Sequence, residues 1–390
     1  MTGIIDAVAY GFYADGEHFN DAVMAKYIEN DCKTPIFFPE GTYLFSETIA
    51  FPDLCFVELA AHAEFKLVSS EVKEYFITLR KGRTGGGYAF NCYLKGGFIN
   101  ANNMAKNGIG VYKTRHVVFE DFFLKNVLEK GIVTRTEDNP DGQSFFRNVL
   151  IENDFALPGT VGVFDNAFDT HFDQVEVVNF ETAYNTVCGR FNHCSAWLRD
   201  NSVIENSTFA RIRGYDIVFS SPAVDTYRYG FKIVDQRYNV SISDMLWITN
   251  GGVYTPELRE KFPRVIFNAD YDTGSYFVSG LKINNEDNLE FSNRELFRSK
   301  FLNVRTVGDF DPFEKIKHFR NDNDEGFGKI GGNLDSLKPG LYECTELFGE
   351  EGVLEVKKAG NITLQRFMGE KTFAYRINKG VGFGEWNKVK

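Results

Sequence analysis

No uninterrupted apolar segment in the 390-residue chain approaches the ~20 residues that a membrane span requires. Basic charge is in deficit. Lys and Arg number 43 against 54 Asp and Glu, a net charge of −11, so the chain lacks the basic footprint that binding an anionic nucleic-acid backbone requires. Cysteine is scarce, at six, and no CxxC pair occurs among Cys32, Cys55, Cys92, Cys188, Cys194 and Cys344. The closest two, in "VCGRFNHCSAW", bracket His193 but lack the two-plus-two spacing of a structural zinc site. They read as reduced thiols acting as small hydrophobes. The N-terminal "MTGIIDAVAYGF" has no basic n-region and carries Asp6 early, so no secretory signal is expected, and synthesis and folding in a cytoplasm are.

Leucine and methionine are thinly used, whereas Phe reaches 39 and Tyr 18. That bias favours β structure over helical bundles. Apolar residues at 43% and charged residues at 25% exclude wholesale disorder.

The clearest helix signal is "DGEHFNDAVMAKYIENDC", whose apolar members share one stripe. "PIFF" follows, then a "PEGTY" corner and "LFSETIAF". From about Phe56 to Asn285, short runs rich in Phe, Val, Ile and Tyr are broken by Gly, Asn and Asp. They recur every ~20 to 30 residues, the spacing of coils in a parallel β-solenoid. Asn126, Asn179 and Asn206 take comparable places, where Asn tolerates a left-handed backbone and bonds to the next coil. The period is loose, so a large β-sandwich is the alternative. "NRELFRSKFLNV" reads as helical, and "HFRNDNDEGFGKIGGN" as a linker. Five short alternating runs then form a small β module.

The segment Asp6, Tyr10-Gly11, Ala14-Asp15-Gly16, Asp21-Ala22, then Pro39, Gly41 and Tyr43 resembles the entry of pectate-lyase-like β-helix domains in phage tailspikes and tail fibres. The closing "NLDSLKPGLYE", "ITLQRF" and "FAYRIN…FGEWNKV" resemble the knob domain of some tail fibres and pyocins. The resemblance implies an all-β protein: a right-handed parallel β-helix, pectin-lyase-like, with an N-terminal capping helix and a small C-terminal β domain. The expected parts are a cap with the first strands (1–48), the β-helix (49–290), a linker (291–331) and the knob-like domain (332–390). It further implies a virion tail location after synthesis in a bacterial host cytoplasm, a bacterial surface polysaccharide and other tail or baseplate proteins as partners, and a homotrimer.

The polygalacturonase residues (Asn-Thr-Asp, Asp-Asp, Gly-His-Gly, Arg-Ile-Lys) are absent; Arg211-Ile212-Arg213 comes nearest. The pectate-lyase Arg-x-Pro-x-x-Arg is absent too. Glycoside hydrolysis needs two carboxyls, about 5–5.5 Å apart for retention or roughly 6.5–9.5 Å for inversion. Asp270 and Asp272 in "NADYDTGSY" suit that spacing on one strand face, although a surface turn is the plainer reading. Asp165, Asp169 and Asp173, around His171, can converge only through a loop or neighbouring coils. They are candidates for acid and base, or for holding a hard cation such as Ca²⁺; otherwise no cofactor is expected. The plainer reading is a solvated acidic edge with Phe164, Phe168 and Phe172 turned inward. Candidate sugar contacts are Trp197 (beside Arg199), Tyr227 and Tyr229, with Tyr375 and Arg376 in the terminal module. Arg211 and Arg213 suit an anionic polymer. Polysaccharide recognition is the expected role, with depolymerisation, binding alone, or a structural place in the virion as its variants.

Overall fold

A computed structural model describes residues 3–79, 89–112, 114–135, 143–214, 216–234, 238–248, 251–269, 274–284, 289–291, 301–307, 340–347, 350–359, 362–369, 373–378 and 387–389. The chain divides into two compact units, residues 1–293 with 300–310, and residues 294–299 with 311–390.

The first unit is a right-handed parallel β-helix, and the sandwich alternative falls away because every strand pairing in it is parallel. Each coil contributes a strand to three faces. The first face includes Phe56–Leu59, Tyr93–Lys95 and Ile217–Ser220; the second includes Ala63–Leu67, Phe123–Lys125 and Ser195–Trp197; the third includes Lys130–Arg135, Thr208–Ile212 and Tyr229–Ile233.

The N-terminal reading is realised residue by residue. Asp6 caps a four-residue helix, Ala7–Tyr10, its Oδ1 accepting from the Ala9 amide at 2.9 Å. Helix Asp21–Asn30 then buries Met24 and Tyr27. "FFPEGTYLFS" becomes the end of strand Ile36–Phe38, a corner, and strand Gly41–Phe45. Gly41 has φ +143°, and a Cβ there would meet the Ala14 carbonyl oxygen at 2.5 Å, so no other residue fits that corner.

Register decides what lies inside. Phe119, Phe146, Phe172, Phe191 and Phe219 fall one per coil on the inner row of the first face. Their rings stack at 4.4–5.1 Å within 10° of parallel. Each contact adds about 0.5–1.5 kcal/mol beyond its area burial. This column takes five of the 39 Phe in the chain.

Corners use left-handed residues, often at more than one corner of the same coil. After the first face these are Asp121, Asn148, Gln174, His193, Ser221 and Asp244, with φ between +49° and +58°. After the second face Asn126 and Asn179 have φ +60° and +62°, as expected, whereas Asn206 is not among the positive-φ residues. Of the run expected to be helical, residues 293–300 lie outside the described residues, and residues 301–304 belong to strand Phe301–Val307, which pairs in parallel with Gly274–Asn284. The register of a solenoid overrides the helical spacing there.

The second unit contains a five-stranded antiparallel sheet, Gly340–Leu347, Glu350–Ala359, Ile362–Gly369, Phe373–Asn378 and Asn387–Val389, in chain order.

Candidate functional site

The expected acidic cluster is distributed around one corner rather than gathered. Asp165 lies inside the third face at 0% exposure, between Thr134 and Thr186 in register. Its carboxylate accepts from the Thr186 hydroxyl at 2.9 Å and from the Thr134 hydroxyl. Asp169 is exposed in a left-handed corner (φ +56°), and Asp173 points outward from the first face, 3.7 Å from His193 Nδ1. His171 stacks on Phe145 at 4.9 Å. Its pKa falls below the ordinary 6.5, chiefly through burial and then through Arg190. Phe172 is core, but Phe164 lies on the outer side of its strand, beneath the Arg213 guanidinium at 4.7 Å. Among the described residues no group of three or more His, Cys, Asp or Glu is arranged to hold a metal. Asp270 and Asp272 lie outside the described residues.

The tyrosines separate. Tyr227 is fully buried, its hydroxyl donating to the Phe180 carbonyl at 2.9 Å. Tyr229 is half-buried between the Arg228 guanidinium at 4.8 Å and the Lys232 ammonium at 5.2 Å. Tyr375 and Arg376 lie on strand Phe373–Asn378, in register with Arg366 and Gln365.

Trp197 is where separate parts of the chain meet. It ends strand Ser195–Trp197 on the second face, half-buried, with Nε1 donating to Glu176 Oε1. The Arg199 guanidinium covers its ring at 5.1 Å and pairs with Glu152 Oε1. Arg199 is itself aimed by the corner, because its amide donates to Asn179 Oδ1 at 2.8 Å. Glu152 is 8% exposed, so a charge this buried depends on its arginine partner.

Register pairs Leu150 with Glu176 and Glu152 with Val178. Glu152 and Glu176 are therefore diagonal neighbours on one face, with Cα atoms about 8 Å apart from the strand spacing and rise. Two carboxyl side chains on one face are the residue types that acid–base hydrolysis of a glycoside requires.

The same face continues as an apolar strip. Phe98, Phe123 and Leu150 follow one another in register, all half-buried, and the Lys125 ammonium lies 5.6 and 6.0 Å from the two rings. Beyond the cluster, Phe155 stands 74% exposed in a bulged segment, where the Ala156 amide and carbonyl bond to Asp200 and Ser202. Trp197 is legible in sequence as a sugar contact, but Glu152, Glu176 and Phe155 are not. The two glutamates meet only through register.

The chain matches no family model and no curated protein. Among solved structures it is similar to Geobacillus virus E2 ORF18, at 12% identity and a TM-score of 0.53, over 99% of this chain and 76% of that one. It is also similar to the gp42 tailspike of Acinetobacter phage vb_AbaP_AS12 (10%, TM-score 0.46, 100% and 82% covered). A third likeness is to an endo-xylogalacturonan hydrolase from Aspergillus tubingensis (13%, TM-score 0.46, 73% and 86%). At 12% identity the likeness to the viral protein concerns the fold alone, and none of the three carries any chemistry.

Proposed function

We propose that this protein is a bacteriophage tail component that recognises a bacterial surface polysaccharide along the outer second face of its β-helix. The observation that carries the reading is the strip on which Phe98, Phe123 and Leu150 lead into the Trp197–Glu176–Arg199–Glu152 cluster. Apolar faces beside fixed planar hydrogen-bonding groups match the two sides of a sugar ring, its C–H face and its hydroxyl edge. The entry-segment resemblance and the fold shared with a viral protein support a place in a virion tail. In this reading other tail proteins hold the chain, the assembly is a homotrimer, and the C-terminal module is a second binding part using Tyr375 and Arg376. Affinity electrophoresis in gels cast with capsular and wall polysaccharides tests it. Trp197→Ala should weaken retention by about tenfold, the scale of one stacking anchor. Retention equal to wild type would remove the second face from the reading.

Cleavage is the second reading, favoured by the presence of Glu152 and Glu176 on one face beside Trp197. Gel filtration of the polymer after incubation distinguishes it from binding alone. A fall in polymer size that Glu152→Gln and Glu176→Gln each abolish, with retention preserved, would make the protein a depolymerase. Unchanged polymer size would leave a binding-only adhesin.

A further inference from the structure

On the first face, charge alternates from coil to coil. Glu58, Lys95, Glu120, Arg147 and Asp173 are successive register partners, and Lys95 and Glu120 approach to 3.4 Å. Opposite charges directly across adjacent strands stabilise a sheet, and like charges destabilise it. The third face breaks that rule. Asn185, Arg211, Lys232 and Asn268 are successive partners there, so two cations sit on neighbouring strands about 4.8 Å apart. Arg211 is exposed, Lys232 is half-buried, and neither forms an ion pair among the described residues.

A third cation is fixed beside them. Arg213 Nε donates to Asn185 Oδ1, and its Nη2 lies 3.4 Å from the Asp165 backbone oxygen. The Asp165 carboxylate attracts Arg213 but is turned inward to Thr134 and Thr186 and forms no ion pair with it. Lys232 is steadied over the Tyr229 ring at 5.2 Å. Arg213 and Lys232 are thus held and Arg211 stands exposed beside them, three cations on one surface in a chain of net charge −11, with no ion pair to any of them among the described residues.

We propose that Arg211, Arg213 and Lys232 form a binding site for an oxyanion carried on a glycan, a uronate carboxylate, sulfate or phosphate ester. The inference rests on the polysaccharide reading above and adds that the polymer is acidic. Arg211 supplies an exposed planar donor fork, Arg213 the guanidinium donors left beyond its bonds to Asn185 and Asp165, and Lys232 a compact charge, with Asn185 and Asn268 flanking them. The site is separate from the Trp197 strip, which lies on the second face.

The test uses the full chain in affinity electrophoresis with polygalacturonate, dextran sulfate, a teichoic acid and neutral dextran. Wild type should be retarded by one or more of the acidic polymers, less so as salt rises. The Arg211→Gln/Lys232→Gln double variant should lose about tenfold or more of that affinity, while the charge-preserving Arg211→Lys variant keeps most of it. Which acidic polymer responds identifies the anion. Equal retardation of wild type and double variant by every acidic polymer would overturn the site. Retardation by neutral dextran with none by the acidic polymers would overturn it too and leave the polysaccharide reading standing. Failure of all four polymers to retard wild type would count against both.

Discussion

Asp165 shows how much a single residue in this fold depends on the direction in which its strand presents it. Burial raises its carboxyl pKa from the ordinary 3.8 to about 6, against hydrogen bonds from Thr134 and Thr186 that favour the anion. The folded state thus holds this proton more tightly than the unfolded chain. Its stabilising contribution is complete below pH 3.8 and is lost as pH rises through about 6. A shift of that size corresponds to about 3 kcal/mol. Asp165→Asn cannot ionise and should therefore gain on wild type by up to that amount between about pH 4 and about pH 7, read by urea denaturation. A difference that stays flat across that range would show that ionising Asp165 costs nothing. In sequence, Asp165 stands out as one of three acids near a histidine. Only the strand's inward direction distinguishes it from the exposed Asp169.

At the scale of the element, the corner after the second face does two things at once. Asn179 is fully buried with φ +62°; its amide donates to the Asn153 carbonyl at 2.7 Å and its Oδ1 accepts from the Arg199 amide. Asn153, one coil earlier and not among the positive-φ residues, bonds twice to the coil before it, with Nδ2 donating to the Val127 carbonyl at 3.0 Å and Oδ1 accepting from the Val127 amide at 2.9 Å. Asn179→Ala would orphan a buried donor and acceptor and hold a Cβ in the left-handed region, at a cost of about 2–5 kcal/mol. Asn179→Gly keeps the backbone geometry and should cost about 1–2 kcal/mol less. Both should also weaken polysaccharide retention, since Arg199 loses the contact that aims it at Glu152. Denaturation and affinity electrophoresis on the pair check this; full retention in the glycine variant would uncouple the corner from the site. Asn126 and Asn179 were legible because Asn declares a left-handed corner. Gln174, Ser221 and Thr226 adopt the same conformation with residue types that carry no such signal, so the coil period looks looser in sequence than it is in space. Glu152 and Glu176 stayed hidden for a related reason. Their meeting is a property of register, which a one-residue change in any corner would move to the other face.

Across the whole first unit, each coil touches mainly the coil before and the coil after it, so stability should be close to a sum of neighbour terms. The two kinds of position in such a stack then respond differently to the same loss. Tyr27 sits in the capping helix, fully buried, its hydroxyl donating to the Thr34 carbonyl at 2.9 Å and its ring edge-on to Tyr10 at 6.0 Å. Phe172 sits mid-column, sandwiched between Phe146 and Phe191. Truncating either large aromatic to alanine should cost about 3–5 kcal/mol locally. Tyr27→Ala loosens an end, so amide exchange should quicken in residues 5–67 and fade with distance, leaving the strands around Phe191 protected as in wild type. Phe172→Ala breaks two interfaces at once. Exchange should quicken on both sides of it, in the strands carrying Phe146 and Phe191, while the cap keeps its protection. Hydrogen exchange followed by mass spectrometry resolves the two patterns. Equal loss of protection along the entire stack in both variants would mean that the Phe column binds the coils into one cooperative unit, and the neighbour-sum description would have to be abandoned. The local pattern would mean that an end can open without disturbing the second-face strip, so the coils around Trp197 hold their binding geometry independently of the cap.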